Sequence, residues 1–340
     1  MKQPAKIDIA VLMLFFNRSE SFEKVFKEVK KAKPTRLFLY QDGPRNKNDM
    51  PGILACREIV KDENIDWECQ VERHYCEKNQ GCDPSGYLSH KWAFSMADKC
   101  IILEDDVVPS QSFFPFCKEM LDKYENDNRI TMVCGFNEDE ISPNIREDYF
   151  FTSVFAIWGW ASWKRVIDQW DDSYSFLQDQ QTVHQLETLI KERHFRADFM
   201  KMCQDHAHSG KPYFESIFWS TMLLNHGLAI MPTKNLITNI GATTDSTHYS
   251  ALQTMPKALR FIFSMKQFEL DFPLHHPKYI IENIDYKHSL YRRNGWGHPG
   301  LKIARSLEEL VLNLKYGNFS FIRKSIGKRI CKWLGKSRHI

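Results

Sequence analysis

KCIILEDDVVPS, residues 99–110, drives a short apolar run into three consecutive acids, Glu104, Asp105 and Asp106. The run Lys99–Leu103 reads as a core strand. Three adjacent carboxylates at a strand end repel one another. A divalent cation bridging them to a diphosphate relieves that cost, because hard cations take oxygen ligands and leave positions open for phosphate oxygens. A solvated acidic turn capping the next helix is the competing explanation, since acids suit helix starts. The triplet alone does not separate the two.

Working outward, short apolar runs alternate with amphipathic stretches through the first 135 residues. The pattern predicts strands at Ile7–Phe16, Arg36–Tyr40, Asp66–Arg73, Lys99–Leu103 and Ile130–Cys134. Helices are expected at Ser21–Lys31, Gly52–Val60, Ser85–Ala97 and Ser112–Tyr124, the last with Ser110 before it as a capping candidate. Such alternation implies an α/β fold with a mostly parallel, doubly wound sheet. Ligands of such sheets bind beyond the carboxyl ends of the strands, which directs attention to Arg18, Asp42 and the acidic triplet. From Tyr149 the pattern changes to an aromatic-dense segment, then helical stretches at Val183–Met202 and Phe214–His226 and a strand-like Leu228–Pro232. No linker or internal repeat intervenes. The chain therefore divides into a Rossmann-like half at 1–135, a half at 136–300 packed on the same sheet as an acceptor-side lobe, and a basic tail at 301–340.

With 43% hydrophobic residues in 340, the chain can bury a large core and is too apolar for a disordered protein. Its nine cysteines form no CxxC pair and read as reduced thiols of a cytosolic protein. The apolar run near the start is too short to span a membrane. The net charge of +3 is uneven. Lys315, Arg323, Lys324, Lys328, Arg329, Lys332, Lys336 and Arg338 face no acid after position 314, so the remainder is net acidic and nucleic acid is a poor partner for it.

Four ordered blocks, within residues 8–250, carry a resemblance: FFNRSESFEKVFKEVKKAKPTRLFLYQDGPR, the stretch from WECQVERHY to the EDD strand and beyond, YFFTSVFAIWGWASWKR, and NLITNIGATTDSTH. Together they resemble bacterial GT-A glycosyltransferases of the hemolytic-protein-like group. More distantly, the EDD strand and the GW segment are similar to the animal N-acetylglucosaminyltransferase that starts complex N-glycans. The resemblance implies a GT-A fold and transfer of a sugar from a nucleotide-diphosphate donor, UDP-linked by that relative, to a polysaccharide or lipid-linked oligosaccharide. It also implies that Asp106 coordinates a manganese or magnesium ion, that Glu104 and Asp105 face the donor ribose and sugar, that Arg18 lies near the diphosphate, and that Asp42 accepts a hydrogen bond from the nucleobase. Trp158 and Trp160 match a segment near the sugar pocket, where aromatic faces suit sugar C–H surfaces, whereas Trp163 reads as core. Glu215 occupies the position of the family's catalytic Asp and is the expected general base, with Asp171 and Asp172 as alternatives. His248, in the block after Asn239, is a further candidate metal ligand. In the loop Asn79–Cys82 the family's Arg is replaced by Asp83, and His90 reads as a helix-surface residue rather than a base contact.

Two other functions compete. A sugar-nucleotide nucleotidyltransferase calls for a glycine-rich phosphate loop after the first strand, and FFNRSESFE has none. A non-enzymatic carbohydrate- or membrane-binding protein is the other. In the tail, Ile322, Ile326, Ile330, Trp333 and Leu334 recur at helical spacing against the basic residues, as in a helix lying on an anionic membrane surface. The expected location is thus cytoplasmic, attached peripherally to the inner face of the cell membrane.

Overall fold

Val11, Leu12 and Met13 are all fully buried although they are consecutive, which a strand achieves only when both faces of its sheet are covered. They lie in β1 (Ile7–Phe15) of a computed structural model that describes residues 2–241, 254–296, 299–323 and 327. After β1 the chain forms α1 (Ser19–Ala32), β2 (Pro34–Gln41), α2 (Met50–Ile59), β3 (Gln70–Tyr75), α3 (Cys82–Phe94), β4 (Lys99–Glu104), β5 (Val107–Pro109), α4 (Phe113–Lys123) and β6 (Ile130–Cys134). It continues with β7 (Tyr149–Thr152), β8 (Trp160–Trp163), α5 (Lys164–Ile167), α6 (Gln180–Leu189), α7 (Arg193–Ser209), α8 (Phe214–Leu224), β9 (Leu228–Pro232), β10 (Ile237–Asn239), α9 (Lys257–Phe263), α10 (Ile284–Arg293) and α11 (Pro299–Lys315).

Eight strands make one sheet in the order β3-β2-β1-β4-β8-β6-β9-β7, while β5 and β10 pair separately and antiparallel. The run β3-β2-β1-β4 is parallel, β8 lies antiparallel between β4 and β6, β6 and β9 are parallel, and β7 closes the edge antiparallel to β9. This is the mostly parallel, doubly wound α/β sheet expected from the sequence. Both halves of the chain contribute strands to it.

The chain leaves β1 toward β2 and β3 on one side and returns to β4 on the other. Their carboxyl ends therefore part at a topological switch point, with Leu14 of β1 in register with Glu104 of β4. Helix α1 covers this side of the sheet by burying Phe22, Val25, Phe26 and Val29, spaced for one helical face.

The structure differs from the sequence expectation at the third strand, in the helix over 183–202 and at the cap of α4. The third strand starts at Gln70 rather than Asp66, because Trp67 turns inward and donates its indole N–H to the Pro34 carbonyl at 2.8 Å. The expected helix over 183–202 is two helices, since Ile190 takes an extended backbone and is buried between them. Trp163 ends β8 and is core as expected, with its indole N–H on the Leu121 carbonyl at 2.9 Å. Helix α4 is capped by neither Ser110 nor Ser112: the Glu269 carboxylate accepts the backbone N–H groups of Gln111 (3.0 Å) and Ser112 (2.7 Å). Among the described residues no helix is long and apolar enough to cross a membrane.

Candidate active site

The switch point brings Arg18, just past β1, onto the acids that end β4. Its guanidinium pairs with the Asp105 carboxylate and reaches Asp106 Oδ2 at 2.9 Å. Asp105 also accepts the Phe16 backbone N–H at 3.2 Å. Both aspartates are buried, whereas the arginine is partly open to solvent. Burial opposes the charge on Arg18, but the two aspartates outweigh it and hold the guanidinium more firmly protonated than usual. One arginine does not balance three acids. Burial, then the charges of Asp106 and Asp105, push the Glu104 carboxyl up to about 8, and burial also raises Asp105 against the pull of Arg18.

The strand pair β5–β10 carries a second segment to the same place. Asn239 is in register with Val107, the Ile240 N–H donates to the Asp106 carbonyl at 2.9 Å, and the Gly241 N–H donates to Asn239 Oδ1 at 2.8 Å. A side chain at position 241 would occupy the space beside Asp106 Oδ2. The oxygen donors, the surplus negative charge and this glycine-lined space fit a hard divalent cation. Among the described residues no three His, Cys, Asp or Glu side chains converge into a ready-made cage, so an ion here would complete its shell with ligand or solvent oxygens. His248 lies outside the described residues.

Glu215 joins the site through α8. Phe214, the residue before it, packs its ring on α3 so closely that a β-carbon on Gly86 would lie 2.6 Å from Cδ1. The next residue, Ser216, is tied to the Tyr174 hydroxyl at 2.6 Å and to His206 Nδ1 at 2.7 Å, which fixes the first turn of the helix. Glu215 stays accessible to solvent, yet crowding by the surrounding protein, followed by the charge of Asp83, raises its carboxyl to about 7. Its charge is felt at Glu104 and, together with Asp83, at the Cys82 thiol, which crowding by the surrounding protein pushes up to about 12 although the residue stays exposed to solvent. The loop before α3, the acidic turn and the start of α8 thus face one region. Cys82 and Asp83 were not singled out in the sequence as parts of it. The alternative bases stand differently. Asp171 is spent on its own turn, accepting the N–H groups of Ser173 (3.0 Å) and Ser175 (2.6 Å); these bonds outweigh burial and lower its proton affinity. Asp172 is turned to Tyr87, whose proton affinity is raised by burial and then by the Asp172 charge.

Three expectations need correction. Asp42 has no free acceptor position for a base: Oδ1 takes the N–H groups of Gly43 and Gln80, each at 2.8 Å, and Oδ2 takes Asn79 Nδ2 (2.8 Å) and the Gly81 N–H (3.2 Å). It organises the loop that leads into α3. His90 is not on a surface. It is 1% exposed, enclosed by Trp160, Trp170 and Phe214, and burial holds it neutral, down to about 3. Trp160, also 1% exposed, packs on Phe218 and His90 and presents no face to a sugar; Trp158 packs on Phe136 and Phe263 and stays partly exposed. Gly159, at φ +64°, serves the close approach of Ile237 to this segment.

No protein-family model matches the chain, and no curated protein matches it by sequence. Solved structures do resemble it. Mouse xyloside xylosyltransferase 1 in its apo form matches at 12% identity over 65% of this chain and 83% of that one, with a TM-score of 0.34. The inositol-1-phosphate CTP transferase from T. maritima matches at 11% identity over 78% and 98%, with a TM-score of 0.36. A UDP-glucose pyrophosphorylase complexed with UDP-glucose matches at 8% identity over 51% and 80%, with a TM-score of 0.28. Likenesses at this level carry no weight about chemistry. The class rests on the chain's own sheet and site: an α/β protein with a carboxylate-rich, arginine-bearing site at the switch point of a mostly parallel sheet.

Proposed function

We propose that the chain is a GT-A glycosyltransferase, metal-assisted and inverting, that moves a sugar from a UDP-linked donor to a polysaccharide or lipid-linked oligosaccharide. One observation carries this reading: a surplus of carboxylate charge around a single arginine at the switch point, with Glu215, of near-neutral proton affinity, in the same region. Asp106 would hold a manganese or magnesium ion, and His248 is a further candidate ligand. When bound, the ion supplies positive charge to the departing nucleoside diphosphate. The fork of Arg18 offers N–H donors to phosphate oxygens in exchange for its aspartate partners. Glu104 and Asp105 face the donor ribose and sugar. Glu215 accepts the acceptor hydroxyl proton as that oxygen bonds to the anomeric carbon and the bond from that carbon to the phosphate oxygen breaks. A single displacement of this kind inverts the anomeric centre.

The test is product analysis with manganese present. Release of UDP from a UDP-sugar, with inversion at the anomeric carbon of the product, supports the assignment. Formation of UDP-sugar and pyrophosphate from UTP and a sugar 1-phosphate would move the chain to the nucleotidyltransferases. A panel of nucleotide sugars screened by thermal shift with and without manganese identifies the donor, since a ligand at 100 times its dissociation constant adds about 2.7 kcal/mol.

A further inference from the structure

Helix α11 is amphipathic in reverse. Its polar side chains face the body of the protein: Asn313 is buried, Arg305 donates to the Arg293 carbonyl at 3.2 Å, and the Glu308 carboxylate accepts the Lys257 N–H at 2.9 Å, at the first turn of α9. Its apolar side chains face outward, with Ile303, Leu307, Val311 and Leu314 exposed by 62, 57, 61 and 50%. Steps of four, four and three residues put these on one stripe. Phe319, 65% exposed, follows just beyond the helix. A contiguous apolar stripe held outward while the polar face is spent on internal bonds marks an interaction surface.

Charge selects the partner. From Lys315 onward the sequence carries eight basic residues and no acid. An exposed apolar stripe followed in the sequence by eight basic residues and no acid matches a lipid surface with anionic headgroups, which combines an apolar acyl boundary with negative charge. We propose that α11 seats the protein on an anionic lipid surface, with Ile303, Leu307, Val311 and Leu314 as the inserting stripe. The surface starts upstream of the segment that the sequence singled out at Ile322–Leu334, and it is independent of the proposed sugar transfer.

The experiment is co-sedimentation of the full chain with vesicles of phosphatidylcholine alone and of phosphatidylcholine mixed with phosphatidylglycerol, without substrate. The wild type is expected to pellet with the mixed vesicles and to be released by salt. The triple variant Ile303→Ser, Leu307→Ser, Val311→Ser should lose roughly tenfold or more in partitioning, because each replaced side chain forfeits apolar burial, and should keep its melting temperature. If the triple variant melts early, Leu307→Ser alone provides the comparison. Equal binding of wild type and variant to the mixed vesicles overturns the proposal, as does equal binding of wild type to both vesicle types. A wild-type dimer that becomes monomeric in the triple variant while vesicle binding is unchanged assigns the stripe to a second copy of the chain and also overturns it.

Discussion

Gly241 stands against Asp106 so closely that a β-carbon on the glycine would overlap Oδ2 of the aspartate. The Ile240 N–H on the Asp106 carbonyl and the β5–β10 pairing hold the two segments in this relation. Gly241→Ala must therefore displace the carboxylate or lift the strand. The expected cost is about 1–3 kcal/mol of stability, as for other overpacked sites, with loss of any manganese-dependent rise in melting temperature in the presence of UDP. A variant that keeps the full manganese effect would remove Gly241 from the ion's surroundings.

Asp106→Ala takes away one carboxylate while Arg18 keeps Asp105 as its partner, so no charge is stranded in the core. The fold should persist, read as an unchanged circular dichroism spectrum. Donor-dependent stabilisation and transfer should vanish together. UDP and manganese bound as tightly as by wild type, measured by calorimetry, would show that the ion is held elsewhere.

The strands that frame this site were legible because each is an uninterrupted apolar run: β1, β4, β6 and β9 fall within one residue of the sequence expectation. The aromatic-dense segment hid β7 and β8, since aromatics fill both its strands and its turns and leave no alternation to read. His90 was misread for a related reason. Helix α3 buries Ser85, Gly86, Ser89 and His90 as well as Phe94, so it shows no apolar stripe and its histidine passes for a surface residue. Asp42 and Glu269 depend on partners far along the chain: the loop at 79–81 saturates the one, and the other caps a helix from 157 residues away. Neither relation leaves a local trace. The acidic triplet did, because three carboxylates at a strand end call for compensation wherever the chain goes next.

Gly86→Ala tests how Glu215 is placed. The added methyl would fall 2.6 Å from Phe214 Cδ1, and Phe214 opens the turn that carries Glu215. The ring must move, and the base with it. Turnover should drop roughly tenfold to a hundredfold, the scale of a misplacement of about 1 Å, while donor and manganese binding by thermal shift stay close to wild type. An equal loss in both would indicate general unfolding of α3.

Glu215→Gln separates the chemical step from binding. The glutamine keeps the shape but accepts no proton, so turnover should fall roughly 100-fold or more with the donor-induced thermal shift retained. The pH dependence gives an independent check. The wild-type carboxyl titrates at about 7, and only its ionised form can act as a base, so the rate should decline as pH drops below about 7. The residual rate of the variant should lack that acidic limb. Stability should move in the opposite sense. A carboxyl whose folded value lies above its unfolded one favours the folded state at low pH and loses that contribution as pH rises from the ordinary carboxylate range toward 7. The variant has no such loss, so its melting temperature should gain on the wild type between pH 4 and pH 8, with the difference levelling off above 7. Full turnover in the variant would instead send the search for the base to Asp171 or Asp172, and would leave the raised proton affinity of Glu215 as a consequence of its crowding beside Asp83.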